Sequence, residues 1–124
     1  MSEQALKRWL EAYGRAWETR SPQAVGEIFT DDATYQETPY EEPLRGRPAI
    51  MRYWSEAVSN QGDIHFNFEI VASTMEVGVA HWSASFNRIK SNTRMEIDGV
   101  FLLKFDEDNR CKSLREWWFH RSSP

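Results

Sequence analysis

From residue 64 onward, large apolar side chains fall on every second position. Ile64, Phe66, Phe68 and Ile70 alternate with polar residues, as do Trp82, Ala84 and Phe86, and then Met95, Ile97, Phe101, Leu103 and Phe105. In a last segment Leu114, Glu116 and Trp118 share one parity, and Arg115, Trp117 and Phe119 the other. A period of two buries one face of a strand and leaves the other open. Half of the chain is therefore committed to an antiparallel sheet. Turn chemistry separates the runs at Asn60-Gln61-Gly62-Asp63, Ser91-Asn92 and Asp106-Glu107-Asp108-Asn109.

The first half has a different period. Leu6, Trp9, Leu10, Tyr13, Ala16 and Trp17 recur at spacings of three and four, which predicts an amphipathic helix from Glu3 to Thr19. Ser21-Pro22 supplies an N-cap and a proline at the first helical position. A short second helix then carries Ala24, Val25, Ile28 and Phe29 inward. Thr30-Asp31-Asp32 is expected to break it before a strand. Residues 38 to 46, with Pro39, Pro43 and Gly46, read as a loop, and a third helix is expected from Pro48 to Ser59 with Ile50, Tyr53, Trp54 and Val58 inward. Helices first and a meandering sheet afterwards make an α+β fold with the helices packed on one face. If that sheet is strongly curved, it forms a cone with a cavity between the layers. No repeat and no linker divides the 124 residues, so one domain, 1–124, is expected.

What would such a cavity hold? Aromatic residues are 14% of the chain, with 6 Trp, 7 Phe and 4 Tyr. That much aromatic area calls for a large core, a lined cavity or a partner surface. Trp17, Trp54, Trp82, Phe86, Phe101 and Trp118 all carry the inward parity, and such walls suit a small apolar or aromatic molecule. A formal net charge of −4 without any run of Lys or Arg argues against a nucleic-acid partner. The single cysteine, Cys111, supplies neither a disulfide nor a metal cluster, and His65, His81 and His120 lack ligand spacing. No metal or cofactor is expected. The N-terminus is charged and periodic, and no stretch approaches a membrane span. The expectation is a cytoplasmic protein without a membrane partner.

The stretch "DATYQETP", residues 32 to 39, carries the clearest candidate for chemistry. As a strand it turns Ala33, Tyr35 and Glu37 to one face, so an inward face with an alanine and a tyrosine finishes on a carboxylate. A carboxylate at a strand end is often simply solvated. Beside Tyr35 and the inward aromatics, however, its charged form is poorly solvated, which makes it a better base. Parity also turns Glu116 inward, as a second acid. Tyr13 lies on the apolar stripe of the first helix, where a buried hydroxyl still needs a partner.

"FTDDATYQETPYEEPLRGRPAI" (29 to 50) and "DGVFLLKFDEDNRCKSLREWW" (98 to 118) resemble the nuclear-transport-factor-2-like superfamily, most closely its SnoaL-like and ketosteroid-isomerase-like branches. The resemblance covers essentially the whole chain. It implies the cystatin-like cone: three N-terminal helices on a strongly curved antiparallel sheet enclosing a cavity. It also implies an enzyme of isomerase, dehydratase or cyclase type, with Glu37 at the position of the general base and Tyr13 at that of the tyrosine holding the substrate oxygen. The strand position that carries a protonated acid in steroid-isomerase-like members falls on Phe101, which has no proton to donate. The third-helix tyrosine that supports the first falls on Trp54. The alternative is a non-catalytic ligand-binding or dimerisation module of the same superfamily. The outer sheet face would carry Val100, Leu102, Trp117 and Phe119, which predicts a homodimer packed sheet against sheet.

Overall fold

Ser2 opens the chain's first helix by accepting a hydrogen bond from the Ala5 N–H at 3.0 Å. In the computed structural model, which describes residues 1–124, this helix, α1, spans Glu3–Glu18 and buries Leu6, Trp9, Leu10, Tyr13 and Trp17. It stops where Arg20 takes a positive φ of 57°. Ser21 and Pro22 then start α2, Pro22–Glu27. A two-residue strand precedes α3, Arg47–Val58, and Gly46 at φ 88° makes that turn possible. No helix is long and apolar enough to cross a membrane.

Six strands follow the order β2-β1-β6-β5-β4-β3 in one sheet. They are β1 (Phe29–Gln36), β2 (Leu44–Arg45), β3 (Gln61–Ser73), β4 (Val77–Arg88), β5 (Thr93–Phe105) and β6 (Cys111–Ser123). The fold is α+β with N-terminal helices against a curved sheet, as the two periods predict. Bulges at Gly62/His65 and Ile70/Ala72 in the β3–β4 pair bend the strands around α1.

Three element boundaries and one strand direction differ from expectation. Phe29 belongs to β1, not to α2, and the Thr30-Asp31-Asp32 stretch continues the strand instead of breaking it. The reason is tertiary. Arg47 donates to the Phe29 carbonyl and pairs with Asp31, both at 2.6 Å, while the Cys111 N–H donates to the Ile28 carbonyl. Residues 61 to 63, expected in a turn, form the start of β3, with Asp63 at a positive φ of 48° inside a bulge. A short strand, β2, sits within the expected loop and pairs with β1. Finally, the sheet is not purely antiparallel, because β1 runs parallel to β6.

The core lies between α1 and the inner sheet face. Tyr13, Phe66, Trp82 and Phe101 pack ring to ring there, with Tyr13–Phe101 centroids 5.2 Å apart and Trp82–Phe101 stacked at 5.0 Å. Gly99 on β5 faces Trp82 on one side and Trp118 on the other. A Cβ at this glycine would stand 2.7 Å from the Trp117 carbonyl oxygen and 2.8 Å from the Trp118 Cβ.

Candidate functional site

A cavity of about 180 Å³ opens between the ends of α1 and α3 and the inner sheet face. Of the residues expected in it, Tyr13, Trp17, Tyr35, Glu37, Trp54, Trp82, Phe86, Glu116 and Trp118 all line it. Phe101 does not. It is fully buried behind Tyr13 and Trp82, where it fills the core. Tyr53, Ala57, Gln61, Arg88 and Ile97 complete the lining. A larger hollow of about 620 Å³ lies on the other side of the sheet, among polar and charged side chains such as His65, Arg94, Glu96 and Asp98. It is open and lacks both inner carboxyls, so the chemistry-bearing groups point to the smaller cavity.

The polar groups of the cavity come from six elements, α1, β1, α3, β3, β4 and β6. Tyr13 on α1 and Tyr35 on β1 meet hydroxyl to hydroxyl at 3.0 Å. Burial, and after it the nearby Glu116, pushes both phenols well above their ordinary range, so both remain protonated. One hydroxyl donates to the other, and the accepting tyrosine keeps a proton that it can offer to a ligand oxygen. On α3, Tyr53 donates to the Glu37 carboxylate. Its ring lies 5.7 Å from that of Tyr35. Glu37 stands one residue beyond the end of β1 and is half-buried. The resemblance placed the tyrosine that supports Tyr13 at Trp54 of α3, whereas the hydroxyl that meets Tyr13 comes from Tyr35 on β1, and the α3 hydroxyl, that of Tyr53, goes to Glu37. Tyr53 was legible only as part of an apolar stripe, yet it was the one residue there with a hydroxyl.

Glu116 is the buried acid. It lies on β6 directly opposite Phe101 of β5, is 6% exposed, and its Oε2 is buried without a hydrogen-bond partner. Desolvation pushes its carboxyl well above the usual glutamate range, and the nearby Glu37 adds to the effect. A carboxyl group in that setting keeps its proton and becomes a donor. So the acid missing at Phe101 has a counterpart one strand away. Two indole nitrogens, Trp54 Nε1 and Trp82 Nε1, are also buried without partners, whereas Trp17 Nε1 donates to Gln61 Oε1 at 2.7 Å.

The histidines lie elsewhere. His81 faces outward, as its parity predicts, and bridges Glu69 and Asp98 at 3.1 and 3.0 Å. His65 contacts Asp63. No three His, Cys, Asp or Glu side chains come together in a way that could hold a metal ion.

The profile of the SnoaL-like domain matches residues 10–114. The chain belongs to the SnoaL-like family. A steroid delta-isomerase of Nocardioides simplex is 23% identical over 114 residues, covering 92% of this chain and 86% of that protein. Among solved structures, the epoxide hydrolase/cyclase-like enzyme SalBIII, studied for pyran ring formation in the polyether salinomycin, superposes with a TM-score of 0.82 at 21% identity. That match covers 95% of this chain and 93% of SalBIII. RV0760c from Mycobacterium tuberculosis superposes with a TM-score of 0.85 at 10% identity, covering 99% of both chains. These similarities establish the ketosteroid-isomerase-like fold for this SnoaL-like chain.

Proposed function

We propose that this SnoaL-like protein is a cofactor-independent enzyme that moves a proton on a small apolar or aromatic molecule bearing a carbonyl or hydroxyl group. The observation that carries this reading is the contrast between the two cavity carboxyls. Glu37 is half-open and accepts a hydrogen bond from Tyr53, while Glu116 is buried with one oxygen unpartnered, which pushes its carboxyl well above the usual glutamate range. Paired acids in opposed environments divide the labour of proton transfer. Glu37 takes a proton from the carbon beside a carbonyl, the negative charge moves to the oxygen, and a donor receives it there. Glu116 and the Tyr13–Tyr35 pair are the donors available. Return of the proton at a conjugated carbon, or on the opposite face of the same carbon, completes an isomerisation; departure of a neighbouring hydroxyl as water, with the proton that Glu37 has taken up, completes a dehydration.

Size narrows the substrate. Drug-sized ligands occupy pockets of roughly 300–1,000 Å³, and this cavity has about 180 Å³. A compact molecule fits better than a four-ring steroid. The isomerase and cyclase activities named for the two relatives support the class of chemistry and leave the substrate to this cavity.

The test is Glu37→Gln. It keeps the shape and the hydrogen bond from Tyr53 but removes the base, so turnover should fall roughly 10²–10⁴-fold. Deuterium wash-in at the α-carbon of a panel of small ketones, including 3-cyclohexen-1-one, reads the step directly. Wash-in at the wild-type rate in the Gln variant would rule Glu37 out as base. A second reading, a non-catalytic binding module, draws on the fact that the Tyr13 and Tyr35 hydroxyls are already joined to one another. It requires that ligands bind wild type and the Gln variant while neither exchanges a proton.

A further inference from the structure

At the cavity wall, Arg88 is the single cation among the lining residues. It closes β4, is exposed, and makes no ion pair within 4.0 Å of any carboxylate, although Glu37 and Glu116 line the same cavity. Its charge is thus not there to neutralise either acid. Directly opposite, on β3, stands Gln61, its cross-strand partner.

Gln61 has a fixed orientation. An indole N–H only donates, so the amide atom that receives Trp17 Nε1 at 2.7 Å is the oxygen. The amide NH₂ is left turned away from that bond, and no other group of the chain bonds to it. Arg88 and Gln61 therefore offer only donors, side by side, one of them charged and the other held in place by a buried tryptophan. An acceptor-only anion complements such a pair, and a planar carboxylate matches the guanidinium fork. A phosphate monoester carries nearly two charges into a small cavity that already holds Glu37, which favours the singly charged group.

We propose that Arg88 and Gln61 form a carboxylate anchor, and that the substrate is a small organic acid whose carboxylate sits at this anchor while its apolar body fills the aromatic cavity. The proposal rests on the same cavity being the site. It adds what the substrate must carry besides the carbonyl or hydroxyl on which Glu37 acts. It also gives the molecule a fixed direction, with the charged end at β3–β4 and the reacting end toward the acids.

Calorimetric titration at pH 7 tests it with three probes that share a phenyl body: phenylacetate, its isosteric amide phenylacetamide, and phenyl phosphate. Wild type should bind phenylacetate about tenfold more tightly than phenylacetamide, the modest end for a charged hydrogen bond that is open to solvent. Arg88→Gln should bring phenylacetate down to the level of the amide and leave the amide itself unchanged. Gln61→Glu, which keeps the acceptor for Trp17 but replaces the NH₂, should also lose phenylacetate. Arg88→Lys should retain part of the preference. Equal affinity for acid and amide, no binding of either, or an acid preference that survives Arg88→Gln would each overturn the anchor. Tighter binding of phenyl phosphate would overturn the choice of carboxylate. Glu37→Gln separates the two readings: it should lose proton exchange and still bind phenylacetate, so that a failed base and a failed anchor give different results.

Discussion

Glu116 shows most directly how one side chain ties this cavity to the stability of the whole protein. Its carboxyl keeps its proton in the fold because burial disfavours the charged form. In the unfolded chain it ionises near the ordinary value of 4.5. Above that pH the folded state binds more protons than the unfolded state, so stability falls as pH rises, until the folded carboxyl itself ionises. Glu116→Gln is always neutral and removes this slope. Urea unfolding should therefore show the variant gaining on wild type as pH increases from 5 to 8, and a constant difference would mean that Glu116 is not held neutral. The acids were legible in the sequence because parity alone turned Glu37 and Glu116 inward. Their roles were not, since the extra residue that carries Glu37 past the strand end, and the hydroxyl of Tyr53 that reaches it, depend on how α3 docks. Arg88 was invisible for a related reason: a polar residue at a strand end looks like any solvated terminus.

At the scale of elements, Gly99 sets how closely β5 lies against its neighbours. Its missing side chain leaves room for Trp82 and Trp118, and a Cβ would collide with backbone as well as side chain. Backbone cannot swing aside as a side-chain tip does. Gly99→Ala should thus cost about 1–3 kcal/mol, the range for overpacking in a dense core, and chemical denaturation with an unchanged m-value would measure it. A cost near zero would mean that the strand yields. The long elements were legible because alternation and the three-to-four spacing persist over many residues in α1, β4 and β5. The junctions were not. Phe29 suits the end of an apolar helical stripe as well as the start of a strand, and Arg47, eighteen residues away, decides between them. Likewise nothing local in β6 announces that its neighbour β1 runs parallel to it.

For the whole molecule, the outer sheet face is the surface with apolar side chains turned to solvent. Phe119 is 85% exposed, Trp117 41% and Val100 38%, more aromatic area than a monomer usually shows to water. Several charges on the same face are met within the chain: Arg121 pairs with Glu96 at 2.8 Å, His81 with Asp98, and Arg115 lies over the Trp117 ring at 4.9 Å, whereas Lys104 is exposed. We propose that two copies pack here about a two-fold axis, with those pairs at the rim. Sedimentation of wild type at micromolar concentration should give a dimer, and Trp117→Glu combined with Leu102→Glu should give a monomer that keeps its fold. A monomeric wild type ends the proposal. The strand order has a further consequence, in time instead of space. Because β6 lies between β1 and β5, no nascent chain that has emerged only to residue 110 contains the continuous six-stranded sheet. Until Cys111–Ser123 leave the ribosome, β1 and β5 each present an unpaired edge to the cell, with the cavity walls unassembled between them. The strand that carries Glu116 is thus also the keystone of synthesis: its arrival joins the two halves of the sheet and buries the acid in one event.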